Sequence, residues 1–325
     1  MNIGIIGAGW IAAKMAETLS GQNEVKKYAI AARELERASA FAREWGFEKA
    51  YGSYEELVND PKVDLVYVAT PHSHHLAHAS LALNAGKAVL CEKAFTANAR
   101  EAETLIKLAR EKHLLLAEAI WTRYMPLSKK IKEVMDSGII GTPQMLTATL
   151  SYSMGWKDRI MKAELCGGTL LDLGVYCINF ARMYFGTDIA RMTCTGVKGG
   201  ADGMDMHDCI SLVYSDGRLA NLQTSALCLD SRNGMICGDK GFIMVDNVNC
   251  PSLVQVFNND YKVIAEYRCP ETQITGYEYQ VYACKDAMEK GLIECPDMPH
   301  DETLAIMRMM DEIRHEIGVV YPYDN

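Results

Sequence analysis

Two residues four apart, Asp172 and Tyr176, stand in an otherwise apolar run, GGTLLDLGVY at 167–176. On an α-helix that spacing is about one turn, so the two side chains share a face. An acid and a phenol side by side can handle a proton. Free tyrosine titrates near 10, so at neutral pH it serves as a base only where a positive charge favours the phenolate. Lys93, in LCEKAF with Glu92 directly before it, is a candidate for that charge. A hydride can leave a carbinol carbon only if the hydroxyl proton leaves too. Tyr176 as base, Lys93 as its cation, and Asp172 holding Lys93 or binding a second hydroxyl therefore form a consistent set for alcohol oxidation or its reverse.

Such chemistry needs a hydride carrier, and GIIGAGWIA supplies a place for one. Gly7 and Gly9 would allow a tight turn and close approach of the backbone to a pyrophosphate. Trp10, Ile11 and Ala12 would open the helix whose N-terminus meets its charge. The second strand ends in AIAARELER, where an NAD-specific acid is usual. Arg33 stands there and could pair with a 2′-phosphate, which favours NADP. Glu34 follows it and could accept from a ribose hydroxyl, which leaves NAD as the alternative. Thr70, Pro71 and His72 in ATPHSHHLAH follow the run VDLVYVAT and should border the nicotinamide side of a cleft. His74 and His78 lie one helical turn apart. With no carboxylate or cysteine beside them in sequence, they read as a solvated helix face, and no metal is assigned.

These residues must be held by two kinds of fold. From NIGIIG to LLLAEA, short apolar runs alternate with helical patterns: a helix from about Trp10, KKYAIAA, a helix over Glu34–Trp45, VDLVYVAT, a helix through Ala85, KAVLCEK and a helix through Glu111. That alternation predicts an α/β Rossmann domain, a doubly wound parallel sheet, over residues 1–121. After Trp121 come a helix over about Pro126–Ser137, a strand in GTPQMLTATLSYSM and the helix carrying Asp172 and Tyr176, ending near Gly186. Several β-type runs follow between Ile189 and Arg268, with hairpin-like SDG and NND between them. Helices over about Tyr277–Lys290 and Asp301–Ile317 finish the chain. Residues 122–325 are thus expected to form an α+β substrate domain with a large, open, mostly antiparallel sheet, the last helix packing back between domains. The helix face carrying Asp172 and Tyr176 would be that domain's contribution to a cleft.

Composition narrows the partners. The 325 residues carry a net charge of −9, which argues against nucleic acid. No run approaches a membrane-spanning length, and the N-terminus lacks the pattern of a secretory signal, so a cytoplasmic protein is expected. The 11 cysteines are scattered and never spaced C-x-x-C, which is the usage of small buried hydrophobes rather than a disulfide framework.

GIIGAGWIA, YVATPHSHH, LCEKAF, AEAIWTRYMP and GGTLLDLGVY, in that order over essentially the whole length, resemble the glucose–fructose oxidoreductase/inositol dehydrogenase/MocA-like (Gfo/Idh/MocA) family. AEAIWTRYMP, GGTLLDLGVYC and the ending GVVYPYDN are most similar to its dimeric dihydrodiol dehydrogenase and NADP-dependent D-xylose dehydrogenase branch. The resemblance implies that Lys93 is the lysine of the family's E-K-P motif, Tyr176 the proton-transferring residue and Asp172 the acid one turn before it. Tyr176 stands where inositol dehydrogenases carry a histidine. The resemblance also implies that His75 is the histidine of T-P-x-x-x-H and Arg33 the arginine associated with NADP; Glu92, Lys93, Trp121 and Arg123 complete the expected cofactor-binding set. It further implies a homodimer formed through the C-terminal sheet. Ala94 replaces the family proline, so the Lys93–Ala94 peptide must either be cis or let its loop relax.

Trp121, Arg123, Tyr124, Trp156 and Arg159 lie in segments expected near the cleft, and aromatic faces suit the C–H faces of a sugar. The expectation is an NADP-preferring oxidoreductase acting on a secondary alcohol of a sugar, polyol or trans-diol. An NAD-dependent glycosidase on the same fold and a dinucleotide-sensing regulator without catalysis are the alternatives.

Overall fold

The computed structural model describes residues 1–22 and 24–324; Asn325, the last residue of the GVVYPYDN ending, lies outside them. The chain divides into two compact units, one of residues 1–120 and 273–307, the other of residues 121–272 and 308–325.

In the first unit, strands β1 (Asn2–Ile6), β2 (Lys26–Ala31), β3 (Lys49–Tyr51), β4 (Leu65–Val68), β5 (Ala88–Glu92) and β6 (Leu116–Ala119) alternate with helices. The helices are α1 (Trp10–Ser20), α2 (Leu35–Trp45), α3 (Tyr54–Val58), α4 (His75–Asn84) and α5 (Ala99–Lys112). The sheet order is β3-β2-β1-β4-β5-β6, and every pairing is parallel. β4 and β5 are buried throughout, the pattern of strands covered on both faces. The order reverses between β1 and β4, so their carboxyl ends flank the crevice where such sheets bind ligands. β3 and α3 are too short to have shown a clear period, and the sequence passes over them.

The second unit contains α6 (Pro126–Asp136), β7 (Pro143–Ser151), α7 (Asp158–Met161), α8 (Val175–Phe185), β8 (Ile189–Gly199), β9 (Met204–Tyr214), β10 (Leu219–Ser225), β11 (Gly234–Gly238), β12 (Gly241–Val245), β13 (Leu253–Asn258) and β14 (Val263–Arg268). The eight strands are ordered β14-β13-β12-β11-β7-β10-β9-β8, antiparallel except for β7 beside β10. Leu146, Ala148 and Leu150 on β7 and Ala220 and Leu222 on β10 are buried, with α8 packed on both strands. Gly234 on β11 makes room for that helix: a Cβ there would stand 2.4 Å from the Phe180 ring.

Two helices follow, α9 (Glu278–Glu289) and α10 (His300–Ile317). α9 and the first residues of α10 cluster with the first unit. There Leu116 N–H donates to Ile293 O at 3.0 Å, and Thr303 Oγ donates to Glu118 at 2.9 Å. The last residues of α10 belong to the second unit, where Ile313 is buried and its carbonyl meets Cys194 Sγ.

Candidate functional site

The predicted residues of the first unit gather at the carboxyl ends of its strands. Gly7 follows β1 with φ +101°, and a Cβ there would lie 2.7 Å from Ala69 O. Gly9 faces open space, and as the residue before α1 it brings no side chain to the helix's first N–H groups. A left-handed glycine, a bare helix start and nothing above Gly9 are what a pyrophosphate requires, so these residues fit a dinucleotide. Ala12 is fully buried and Trp10 is 70% exposed, which separates the packing residue of the motif from its solvent-facing one.

Arg33 is exposed beyond β2, immediately before Glu34, which precedes α2. Sequence reasoning passed over Arg37. Its guanidinium donates to Ala8 O at 2.9 Å, within the glycine loop. Both arginines lie near Tyr54 and favour its ionised form, although burial dominates and raises that phenol. Spacing alone did not give this contact: Arg33 lies before α2, which begins at Leu35, so the one-turn rule does not place the two arginines on one face.

After β4, Pro71 leads into a short 3₁₀ turn at His72–His74. Thr70 Oγ1 and His78 Nδ1 are 3.0 Å apart, and the His74 and His78 rings meet edge-on at 5.6 Å. Among the described residues no group of three or more metal-ligating side chains forms. His75 is fully buried, its Nε2 2.8 Å from Thr70 O and its Nδ1 2.9 Å from Ala94 O. It therefore ties the loop after β4 to the loop after β5. Burial pushes its pKa down to about 4, against the pull of those carbonyls. Glu92 is buried, accepts from Tyr67 Oη, and receives the Lys93 backbone N–H at 3.2 Å. Lys93 itself is partly exposed, and the Lys93–Ala94 peptide is cis, the first of the two expected alternatives.

In the second unit the predicted helix does not begin as an α-helix. Leu170–Gly174 form a π-helical turn, and α8 starts at Val175. The i→i+5 turn is wider, so four residues no longer make one turn, and Asp172 and Tyr176 are positioned by separate neighbours. Tyr176 is 5% exposed, and its oxygen accepts the Trp121 indole N–H at 2.9 Å. Indole nitrogen only donates, so the phenol's own proton is not spent on this contact. Asp172 is 2% exposed and accepts from the half-exposed Arg159. Arg123 donates to Asn179 Oδ1, whose amide donates in turn to Val175 O at 2.7 Å, so Arg123 braces α8 directly below Tyr176. Tyr124 is buried, whereas Trp156 is 75% exposed. A cavity of about 350 Å³ elsewhere on the sheet, lined in part by Ser151, Thr195, His207 and Asp230, contains none of the predicted site residues.

Residues 1–119 match the model of the oxidoreductase family with an NAD-binding Rossmann fold, and residues 128–244 match the GFO/IDH/MocA C-terminal domain. A trans-1,2-dihydrobenzene-1,2-diol dehydrogenase of Macaca fuscata fuscata is 33% identical over 327 residues, covering 99% of this chain and 98% of that protein. Among solved structures, the 3-ketoreductase KijD10 of Actinomadura kijaniata, in complex with NADP and TDP-benzene, superposes with a TM-score of 0.88. It is 26% identical and covers 97% of each chain. A levoglucosan dehydrogenase in complex with NADH and L-sorbose superposes with a TM-score of 0.85 over 98% of this chain and 97% of that one. At 18% identity that likeness concerns the fold.

Proposed function

The chain belongs to the Gfo/Idh/MocA oxidoreductase family, and from that premise we propose that it is an NADP-preferring dehydrogenase acting on a secondary alcohol of a sugar, polyol or trans-diol. In this reading the glycine loop and α1 hold the pyrophosphate, and Arg33 with Arg37 meets a 2′-phosphate. Thr70, Pro71 and His72 border the nicotinamide. When bound, the nicotinamide supplies the carbon that takes or gives the hydride. Tyr176 takes the hydroxyl proton, Lys93 supplies the positive charge that favours its phenolate, and Asp172 with Arg159 orients the substrate.

The observation that carries this reading is the Trp121–Tyr176 hydrogen bond. A donor-only indole points at the phenol oxygen, which favours the phenolate. The diol named for the relatives, a trans-1,2-dihydrobenzene-1,2-diol, has an alcohol carbon flanked by another oxygen, which supports this reading. We also assign the chain to the cytoplasm, and to a homodimer formed through the sheet face where the cross-strand partners Met145 and Leu219 lie exposed. No described helix is long and apolar enough to cross a membrane.

The test is the growth of reduced-nicotinamide absorbance with NADP or NAD and a panel of aldoses, polyols and trans-diols, with Tyr176→Phe and Lys93→Met run alongside. Turnover by the wild type, and a fall of about 10²–10⁴ in kcat for each variant at unchanged nucleotide binding, is the expected outcome. Undiminished turnover by Tyr176→Phe would rule out the assigned base.

A further inference from the structure

Asp205 and Asp208 lie three residues apart on β9, and on a regular strand that spacing puts side chains on opposite faces. Both are nevertheless buried, at 0% and 4% exposure. The cause is a bulge. His207 pairs with Val197 and Asp205 with Lys198, so Met206 is the extra residue and Asp205 is turned to the same side as Asp208. The two carboxyls lie near enough for each to act on the other's ionisation. Asp205 Oδ2 accepts the Leu170 N–H at 2.6 Å, and the Thr169 N–H nearby also favours the charged carboxyl. Thr224 Oγ1 donates to Asp208 Oδ2 at 3.4 Å. One oxygen on each acid, Oδ1 in both cases, has no protein donor among the described residues. A carboxylate cannot donate, and a proton on one acid aimed at the other would give both oxygens a partner.

Leu170 opens the turn that carries Asp172 and leads into Tyr176. The turn is built around Asp205: Gly168 has φ +108°, and a Cβ there would stand 2.0 Å from Asp205 Oδ1. On the other side of the turn, Tyr321 Oη donates to Gly167 O at 2.5 Å. We propose that Asp205 and Asp208 act as one singly protonated pair, with the proton on Asp208 and the charge on Asp205, and that this charge fixes the turn which sets Tyr176. Asp205 is then a positioning residue for the reaction, and this assignment rests on the proposed role of Tyr176. Burial raises both carboxyls. Asp208 is pushed up to about 9, with the Asp205 charge beside it adding to the burial effect, whereas the backbone N–H groups of Leu170 and Thr169 oppose the rise at Asp205. A charged acceptor also suits the first turn of a helix, where N–H groups lack internal partners.

The pair makes an asymmetric prediction for two isosteric changes. Asp208→Asn keeps a donor toward Asp205 and an acceptor for Thr224. Asp205→Asn removes the charge and leaves a single oxygen to face the Leu170 and Thr169 N–H groups. Steady-state kinetics, nucleotide Kd, and the Leu170 and Thr169 amide proton resonances in TROSY spectra of the labelled full chain would be measured for both. Asp208→Asn should keep kcat within about threefold and both resonances downfield. Asp205→Asn should lower kcat roughly ten- to hundredfold, as small misplacements of reacting groups do, with nucleotide Kd unchanged and both resonances moved upfield. The same resonance pattern in the two variants would overturn the proposal. Should Asp205→Asn fail to fold, Asp208→Asn decides: an upfield move or a tenfold loss overturns the pair, and retention supports it. If the wild type turns over no alcohol, the functional reading has failed, yet the amide resonances still report on the pair.

Discussion

At the scale of single residues, the site depends on groups whose partners lie far away in sequence. Trp121 and Tyr176 are 55 positions apart, and Arg159 reaches Asp172 from the segment before the turn. Neither pairing is visible in a pattern of types, although all four residues were singled out. Arg37 is a residue the sequence did not single out, and only the contact with Ala8 O draws it to the glycine loop. Two guanidiniums at the end of β2 should bind a 2′-phosphate better than one. Arg33→Ala and Arg37→Ala are each expected to raise the KM for NADP about tenfold or more, with the KM for NAD within about twofold. Equal effects on both nucleotides, read from initial rates or from binding titrations, would show that the arginines do not contact a 2′-phosphate.

At the scale of elements, loops rather than helices and strands carry the conformational demands. His75, at the start of α4, joins the loops after β4 and β5 while fully buried. Its folded pKa of about 4 lies below the value near 6.5 of an exposed histidine, so the unfolded chain binds the proton first as pH falls. The stability owed to neutral His75 is therefore intact above about 6.5, declines as pH falls from there toward 4, and is fully lost below it. The limit is roughly 3 kcal/mol for a shift of this size. Urea midpoints at pH 7.5, 6 and 5 should fall in the wild type, and the gap to the less stable His75→Gln should narrow with acidity. Parallel curves would mean that His75 titrates normally. The π turn at Leu170–Gly174 belongs to this scale too: the apolar pattern announced a helix but could not tell an i→i+4 from an i→i+5 turn.

At the scale of the whole chain, its last residues return to the turn before α8. Tyr321 donates to Gly167 O across 154 positions, and the Arg314 guanidinium lies 4.3 Å from the centre of the Tyr321 ring while pairing with Asp324 and Asp311. Tyr321→Phe removes one buried donor and leaves the Gly167 carbonyl without that partner, a loss of about 1–3 kcal/mol. Thermal unfolding should show a lower Tm, and kcat should fall with the nucleotide Kd unchanged. A Tm and kcat equal to the wild type's would show that the tail does not support the turn.

The alternating elements of residues 1–120, the glycine loop and the carboxyl-end positions of Arg33, Thr70 and Lys93 were legible because strand, turn and helix signals are local and glycine dihedrals constrain neighbours. The open, mostly antiparallel sheet was legible for the same reason, apart from β11, whose five residues begin and end in glycine. What no local rule could supply were pairings made by folding. The bulge at Met206 inverts the face of Asp205, residues 273–307 return to the first unit, and the tail returns to Gly167. A one-residue slip reverses every inference drawn from a period of two, and contacts across a hundred positions leave no mark on spacing. That is why the residues proposed for the reaction could be picked out by their order, whereas the groups that hold them still had to be found in space.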